Sequence, residues 1–237
     1  MALPKMSPTI YTTTIPSTAV KVKYRPFLVK EEKSLLIAQQ SEDSNVMVDT
    51  LKSIIKSCVL DKIDVDTLAM FDLEYLLLQI RARSIGEVVE LVFGCDNCTD
   101  EKAKAKVFID LTTIDLQKDP EHTNKIELFD DVGMIMKYPN IDSVKKFEEL
   151  DLDDVEHVFD LVIESIDYIY SGEELHYAKE QTKEELSDFI GNLTQIQFQK
   201  VKAFFESMPK LRHDIFYTCP VCQKTHNKYI EGIDSFF

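Results

Sequence analysis

Residues 9–15 (TIYTTTI) and 20–25 (VKVKYR) alternate apolar and polar positions and are rich in β-branched side chains. A period of two is the strand signature, and Pro16-Ser17-Thr18 separates the runs, so an N-terminal β-hairpin is predicted. Residues 28–40 read as helical. A second helix near 45–58 gathers Met47, Leu51, Ile54, Ile55 and Cys58 on one face. Cys58 is therefore expected to be a small core residue, since free cysteine is among the most buried residue types. The most apolar helix is predicted over 72–84 (DLEYLLLQIRARS), with Leu73, Leu76, Leu77 and Ile80 in phase and Gly86 as its stop.

The period then returns to two. VVELVF (88–93) leads into Gly94-Cys95-Asp96-Asn97-Cys98, and a return strand alternates Ala103, Ala105, Val107, Ile109 and Leu111 with Lys102, Lys104 and Lys106. This predicts a β-hairpin with a CxxC at its tip. A further strand pair is expected across 125–138, turning at Asp130-Asp131. From about 141 a helical period takes over: Val155, Val158, Phe159, Val162, Ile163 and Ile166 form one stripe, with Glu156, Asp160, Glu164 and Asp167 facing away. Thr182…Glu185 and Thr194…Gln197 fit capping boxes, each opening another helix. Pro209 stops the last one. Strand-like HDIFYT (213–218) leads to a second tip, Cys219-Pro220-Val221-Cys222, then a short strand and the tail EGIDSFF.

Segregated strands and helices indicate an α+β fold. The expected organisation is an N-terminal hairpin plus helical region over 1–87, a β region made of 88–140 and 210–237, and a helical insertion over 141–209. The two CxxC hairpins would together form a split zinc-ribbon-like site.

Composition narrows the function classes. The 237 residues are 44% apolar and 29% charged, as in an ordinary globular protein. A formal charge of −15 argues against sequence-independent binding to a phosphate backbone, which needs Lys and Arg to displace counterions. Residues 1–60 carry eight Lys/Arg against five Asp/Glu, so the rest of the chain holds about −18. A mildly basic head on an acidic body suits protein partners docked partly by charge. The start, MALPKMSPTIYTTTIP, has no apolar secretory region, and no apolar run approaches the roughly 20 residues needed to span a bilayer. Without export the five cysteines stay reduced, which favours metal ligation over disulfides.

Cys95, Cys98, Cys219 and Cys222 are accordingly the candidate ligands of one structural Zn²⁺, which takes four thiolates at about 2.3 Å in a tetrahedron. An iron–sulfur cluster also uses four cysteines and stays open as an alternative; four unmetallated thiols are the third reading. Neither pair opens a helix after a strand, as a redox CxxC would. His226 follows Cys222 at ligand-like spacing and could replace one Cys, though a solvated strand histidine is the simpler expectation.

No catalytic set emerges, so no enzyme activity and no small-molecule substrate is expected. His122, His157, His176 and His213 are scattered outside any nucleophile or HExxH motif. Glu148-Glu149-Leu150-Asp151-Leu152-Asp153-Asp154 lacks the spacing of a calcium loop and reads as a helix cap through Asp153 or Asp151. Neither GxxxxGK[ST] nor GxGxxG occurs.

KYRPFLVKEEK (23–33), DKIDVDTLAMFDLEYLLLQIRARSIGEVVEL (61–91) with the CxxC that follows, and CPVCQKTH…IEGIDSFF resemble the baseplate hub proteins of T-even-type bacteriophages. The likeness runs in the same order over most of the chain and is diffuse between about 110 and 205. It implies a virus-encoded structural or assembly component of the central hub of a contractile tail. Its partners would be other phage baseplate and hub proteins, and its location the host cytoplasm during assembly or the virion tail baseplate. No membrane or nucleic-acid partner is expected. Phe236 and Phe237 at the chain end, with Tyr24 and Arg25, are the candidate partner contacts. The competing reading is a zinc-ribbon nucleic-acid-binding or transcription-associated factor, for which the Lys102-Lys104-Lys106 row is the best support.

Overall fold

A computed structural model describes residues 7–41, 44–143 and 155–232. The chain divides into two compact units: residues 1–65, 71–117 and 210–237 form the first, residues 66–70 and 118–209 the second.

In the first unit, β1 (Tyr11–Thr14) and β2 (Lys21–Tyr24) pair antiparallel as the predicted hairpin. Helices α1 (Val29–Gln40), α2 (Ser44–Cys58) and α3 (Met70–Ser84) follow. The N–H of Arg25 bonds the carbonyl of Cys58 and the N–H of Leu60 bonds that of Lys23, tying the end of α2 to β2. Ile54, Ile55 and Cys58 are buried with Val22 and Tyr24. Helix α3 is buried through Phe71, Leu73, Leu76, Leu77, Leu78, Ile80 and Ala82. Its buried Asp72 accepts hydrogen bonds from the N–H (2.9 Å) and Oγ (2.5 Å) of Ser17, which pins the hairpin turn to the first turn of α3.

Strands β3 (Val88–Phe93) and β4 (Ala105–Asp110) make one two-stranded sheet. With β5 (Leu116–Gln117), β10 (Lys210–Thr218) and β11 (Thr225–Glu231) make another, in the order β11-β10-β5. Only Lys210↔Gln117 and Leu211↔Leu116 join β10 to β5.

The second unit is an antiparallel meander of β6 (Lys125–Phe129), β7 (Val132–Met136), β8 (Ile166–Ser171) and β9 (Glu174–Tyr177). Its helices are α4 (Val155–Glu164), α5 (Lys183–Gly191) and α6 (Gln195–Glu206). One core joins Ile126, Leu128, Met134 and Met136 of the sheet to Val162, Ile163, Leu186, Ile190, Val201 and Phe204 of the helices. The turn falls at Asp130-Asp131, with Asp130 at φ 42°, and both capping boxes form at Thr182 and Thr194.

The helical reading of 141–209 needs correction. Residues 166–177 are the strand pair β8–β9, and 118–140 clusters with this unit rather than with the CxxC hairpins. Ile166 continues the helical phase of Val162 and Ile163, but it is buried as the first residue of a strand. The register with β7 shifts by one residue between the Ile135↔Tyr168 and Met136↔Ile166 pairs, so Ile166 opposite Met136 and Ile169 opposite Met134 both face the core.

Candidate metal centre

Each half of the site is a knuckle. At the first tip the N–H of Cys98 returns to the carbonyl of Cys95 at 3.4 Å; at the second the N–H of Gln223 returns to Cys219 at 3.0 Å and the N–H of Cys219 to Lys224 at 2.9 Å. Gln223 adopts a left-handed φ of 60°, which lets the chain turn directly into β11. These turns aim backbone donors at sulfur: the N–H of Asn97 lies 3.4 Å from Cys95 Sγ and that of Cys222 3.5 Å from Cys219 Sγ.

The two tips meet. Cys95, Cys98, Cys219 and Cys222 bring their sulfurs within 4.8 Å of one another, although more than 120 residues separate the pairs. Cys95 Sγ and Cys222 Sγ are 3.6 Å apart. Zn–S bonds of about 2.3 Å place tetrahedral sulfurs about 3.8 Å apart, so the observed edge fits a single ion. Cys95 and Cys219 are buried with Ala103, and Cys98 and Cys222 pack beside them. All five cysteines are free thiols.

The electrostatics are uneven. The Cys219 thiol is lowered to about 7, chiefly by the N–H of Cys222 and also by that of Val221. The Cys98 thiol is pushed up to about 12, first by its hydrogen bond with Cys222 and then by burial. Burial also raises Cys95. A thiolate can form on Cys219 near neutral pH while Cys95 and Cys98 keep their protons, because adjacent anions without a cation repel one another. A divalent cation reverses that preference and displaces the protons.

His226 is not the solvated strand residue expected. Its side chain is 9% exposed, and Nε2 lies 3.2 Å from Cys95 Sγ. Sequence spacing hinted at His226, but not that it would face the other hairpin.

The remaining candidates lie elsewhere. Tyr24 is buried, and Arg25 pairs with Glu31 at 2.9 Å and reaches the Cys58 sulfur at 3.7 Å. Both side chains are thus used within the fold. Phe236, Phe237 and the acidic run 148–154 lie outside the described residues. In the lysine row, Lys106 pairs with Glu90 across the sheet at 2.6 Å. Sequence reading overlooked a histidine–tyrosine–serine chain in the second unit. His122 Nδ1 is 2.8 Å from Ser207 Oγ and Nε2 2.9 Å from the Tyr138 hydroxyl. Ser207 donates to the carbonyl of Ala203 at 2.6 Å, so Nδ1 carries the proton and Nε2 accepts from Tyr138. His122, Tyr138 and Phe204 also stack. With its hydroxyl committed to a helix carbonyl, Ser207 closes a structural relay.

The sequence profile of the family described as T4 bacteriophage base plate protein matches residues 7–237. The chain belongs to that family. It is also 25% identical over 217 residues to the baseplate hub assembly protein gp26 of Enterobacteria phage T4, covering 91% of this chain and 92% of that protein. No solved structure matches. Among the described residues no helix is long and apolar enough to cross a membrane.

Proposed function

We propose that this chain is a structural or assembly component of the central baseplate hub of a contractile phage tail, held in shape by one Zn²⁺ on Cys95, Cys98, Cys219 and Cys222. The family match from 7 to 237 carries the first part, because it spans both CxxC hairpins and everything between them. The likeness to a hub assembly protein over nearly the whole of both chains supports a role in building the hub with other baseplate proteins, in the host cytoplasm or in the tail itself.

The sulfur geometry supports the metal. An iron–sulfur cluster would hold several irons and bridging sulfides inside its cysteine cage, which has to be wider than a cage around one ion. Four sulfurs within 4.8 Å suit a single ion. With four protein ligands such an ion keeps no open position for a catalytic water, so its work is to join the two hairpins as a split ribbon. The nucleic-acid alternative loses part of its basis, since Lys106 of the lysine row pairs with Glu90.

The test is a phage in which this gene is interrupted. Hub-less tails restored by the wild-type gene are expected; normal baseplates without the protein would overturn the hub role. Elemental analysis of the purified chain should give about one zinc, and iron with visible absorbance would replace zinc by a cluster. Salt-dependent DNA binding would favour the alternative.

A further inference from the structure

Around the sulfurs the two hairpins share a second layer of contacts, made by residues in and beside the knuckles and on the strands that lead from them. Tyr217 and His226 are directly opposite in the β10–β11 register, and their rings stack at 5.1 Å and 17°. Tyr217 also stacks on Phe93 at 5.4 Å, and its hydroxyl donates to the carbonyl of Gly94 at 2.7 Å. Lys228 reaches Asp96 at 2.8 Å, and the same carboxylate lies 3.9 Å from His226 Nδ1. Phe93, Gly94 and Asp96 come from the first hairpin; Tyr217, His226 and Lys228 come from the second. The imidazole is thereby fixed in plane and in rotation, with Nε2 directed at Cys95 Sγ from 3.2 Å.

Two roles fit an imidazole nitrogen at that distance: a ligand sharing the ion, or a donor to the sulfur of a ligand. The group whose ligand atoms lie within 4.8 Å of one another consists of the four cysteines and does not include His226. Four sulfurs already complete a tetrahedron, so the imidazole approaches one corner from outside. We propose that His226 is an outer positioning residue, donating its Nε2–H to the Cys95 thiolate and so retaining the metal in the four-sulfur site. Together with the N–H of Asn97 it gives Cys95 two donors, which withdraw negative charge from a cluster that carries four thiolates against one divalent cation. The ring also bridges the hairpins: it is carried by the second CxxC hairpin and holds a ligand of the first. The inference rests on the metal reading above and deepens it by naming what slows release.

Partners of this kind around metal ligands change metal affinity by about 10–100-fold when removed. The experiment uses the full chain loaded with Zn²⁺ or Co²⁺, as wild type, His226→Phe and His226→Gln. Phe keeps the stack on Tyr217 without a donor, whereas Gln keeps an N–H. Zinc transfer to a chromophoric chelator should be about 10–100-fold faster from His226→Phe, with His226→Gln between the two. The Co²⁺ ligand-field bands should report four sulfurs in all three proteins. Release from His226→Phe at the wild-type rate would overturn the proposal, as would a nitrogen-ligand signature in the wild-type Co²⁺ spectrum that is lost in the variant. Failure of wild type to hold any metal would instead overturn the metal reading itself. Circular dichroism at excess zinc shows whether His226→Phe folds. If it does not, the surface variant Asp96→Ala, which frees Lys228 and the Nδ1 edge, decides: faster release supports the proposal and unchanged release refutes it.

Discussion

Removing the ion should loosen the first unit and spare the second. The metal would cross-link pairs more than 120 residues apart, and while β5 and β10 stay paired that pairing closes most of the loop. The closure left to the ion runs from the first knuckle to Leu116 and from Leu211 to the second, roughly 26 residues, for which the chain-entropy relation gives about 3.5 kcal/mol against about 4.9 for the whole loop. The smaller figure applies to parting of the tips with the β5–β10 pair intact; melting breaks that pair too, and a loss of about 4.9 kcal/mol in a unit of this size lowers its melting temperature by roughly 15 °C. The second unit keeps its own sheet-and-helix core, with Met134, Met136, Ile166 and Val201 fully enclosed. Wild type with and without chelator, and Cys219→Ser, would be followed by urea unfolding and by amide exchange. Expected is early exchange in β3, β4, β10 and β11 with protection kept in β6–β8. Unchanged stability in both chelated wild type and Cys219→Ser would refute a shared site. Equal loss of protection in both units would refute their independence.

Three further outcomes are expected. Gly133→Ala should destabilise the second unit by about 1–3 kcal/mol in urea melts, because a Cβ there would strike the Tyr170 hydroxyl and lie 2.5 Å from the backbone carbonyl of Ile126; a neutral or stabilising result would refute the β6-β7-β8 register. Cys58, fully buried with its thiol pushed up to about 11 by burial, should resist a thiol reagent at pH 8 while the other four cysteines react after chelation. Its pKa is raised in the folded state, so this contribution to stability is present below pH 9 and fades as the pH climbs towards 11, a loss that Cys58→Ala should lack in alkaline melts. For His122, burial lowers the pKa below 6.5, so its contribution is present above that pH and is lost as the pH falls through the folded value. The second unit's acid-side melting should therefore steepen below about pH 6.5, and His122→Gln should flatten that dependence.

The first unit was largely legible because its signals are local. The threonine-rich alternation of 9–15, the stripe from Met47 to Cys58 and the in-phase Leu73, Leu76, Leu77 and Ile80 each dictate one element without reference to the rest of the chain. The cysteines were legible as chemistry, since their spacing and reduced state leave few alternatives. The second unit was not. Val162, Ile163 and Ile166 satisfy a helix stripe, and nothing local shows that Ser165 ends the helix and that Ile166 is buried by pairing with Met136 of β7. Strand pairing is a long-range fact, and the short apolar run IDYIYS is compatible with either period. The same limit hid the inward turn of His226 and the partners of His122, which lie 85 and 16 residues away.

The need for an ion can be argued from what the hairpins lack. A two-stranded ribbon alone is marginal in water. Among the described residues, strands β3 and β4 pair only with each other, while β10–β11 gain two residue pairs from β5. Where the tips meet, the buried apolar cluster consists of Cys95, Ala103 and Cys219. Three small side chains exclude little apolar surface, about 1 kcal/mol or less each at the usual value per unit area, which does not offset the ordering of two turns. The Tyr217 stack and the Lys228–Asp96 pair add to this, yet Lys228 is 40% exposed and such pairs contribute little. Apolar packing at this place contributes little, whereas four thiolates on the proposed divalent ion would join the tips through an interaction that is strong per residue.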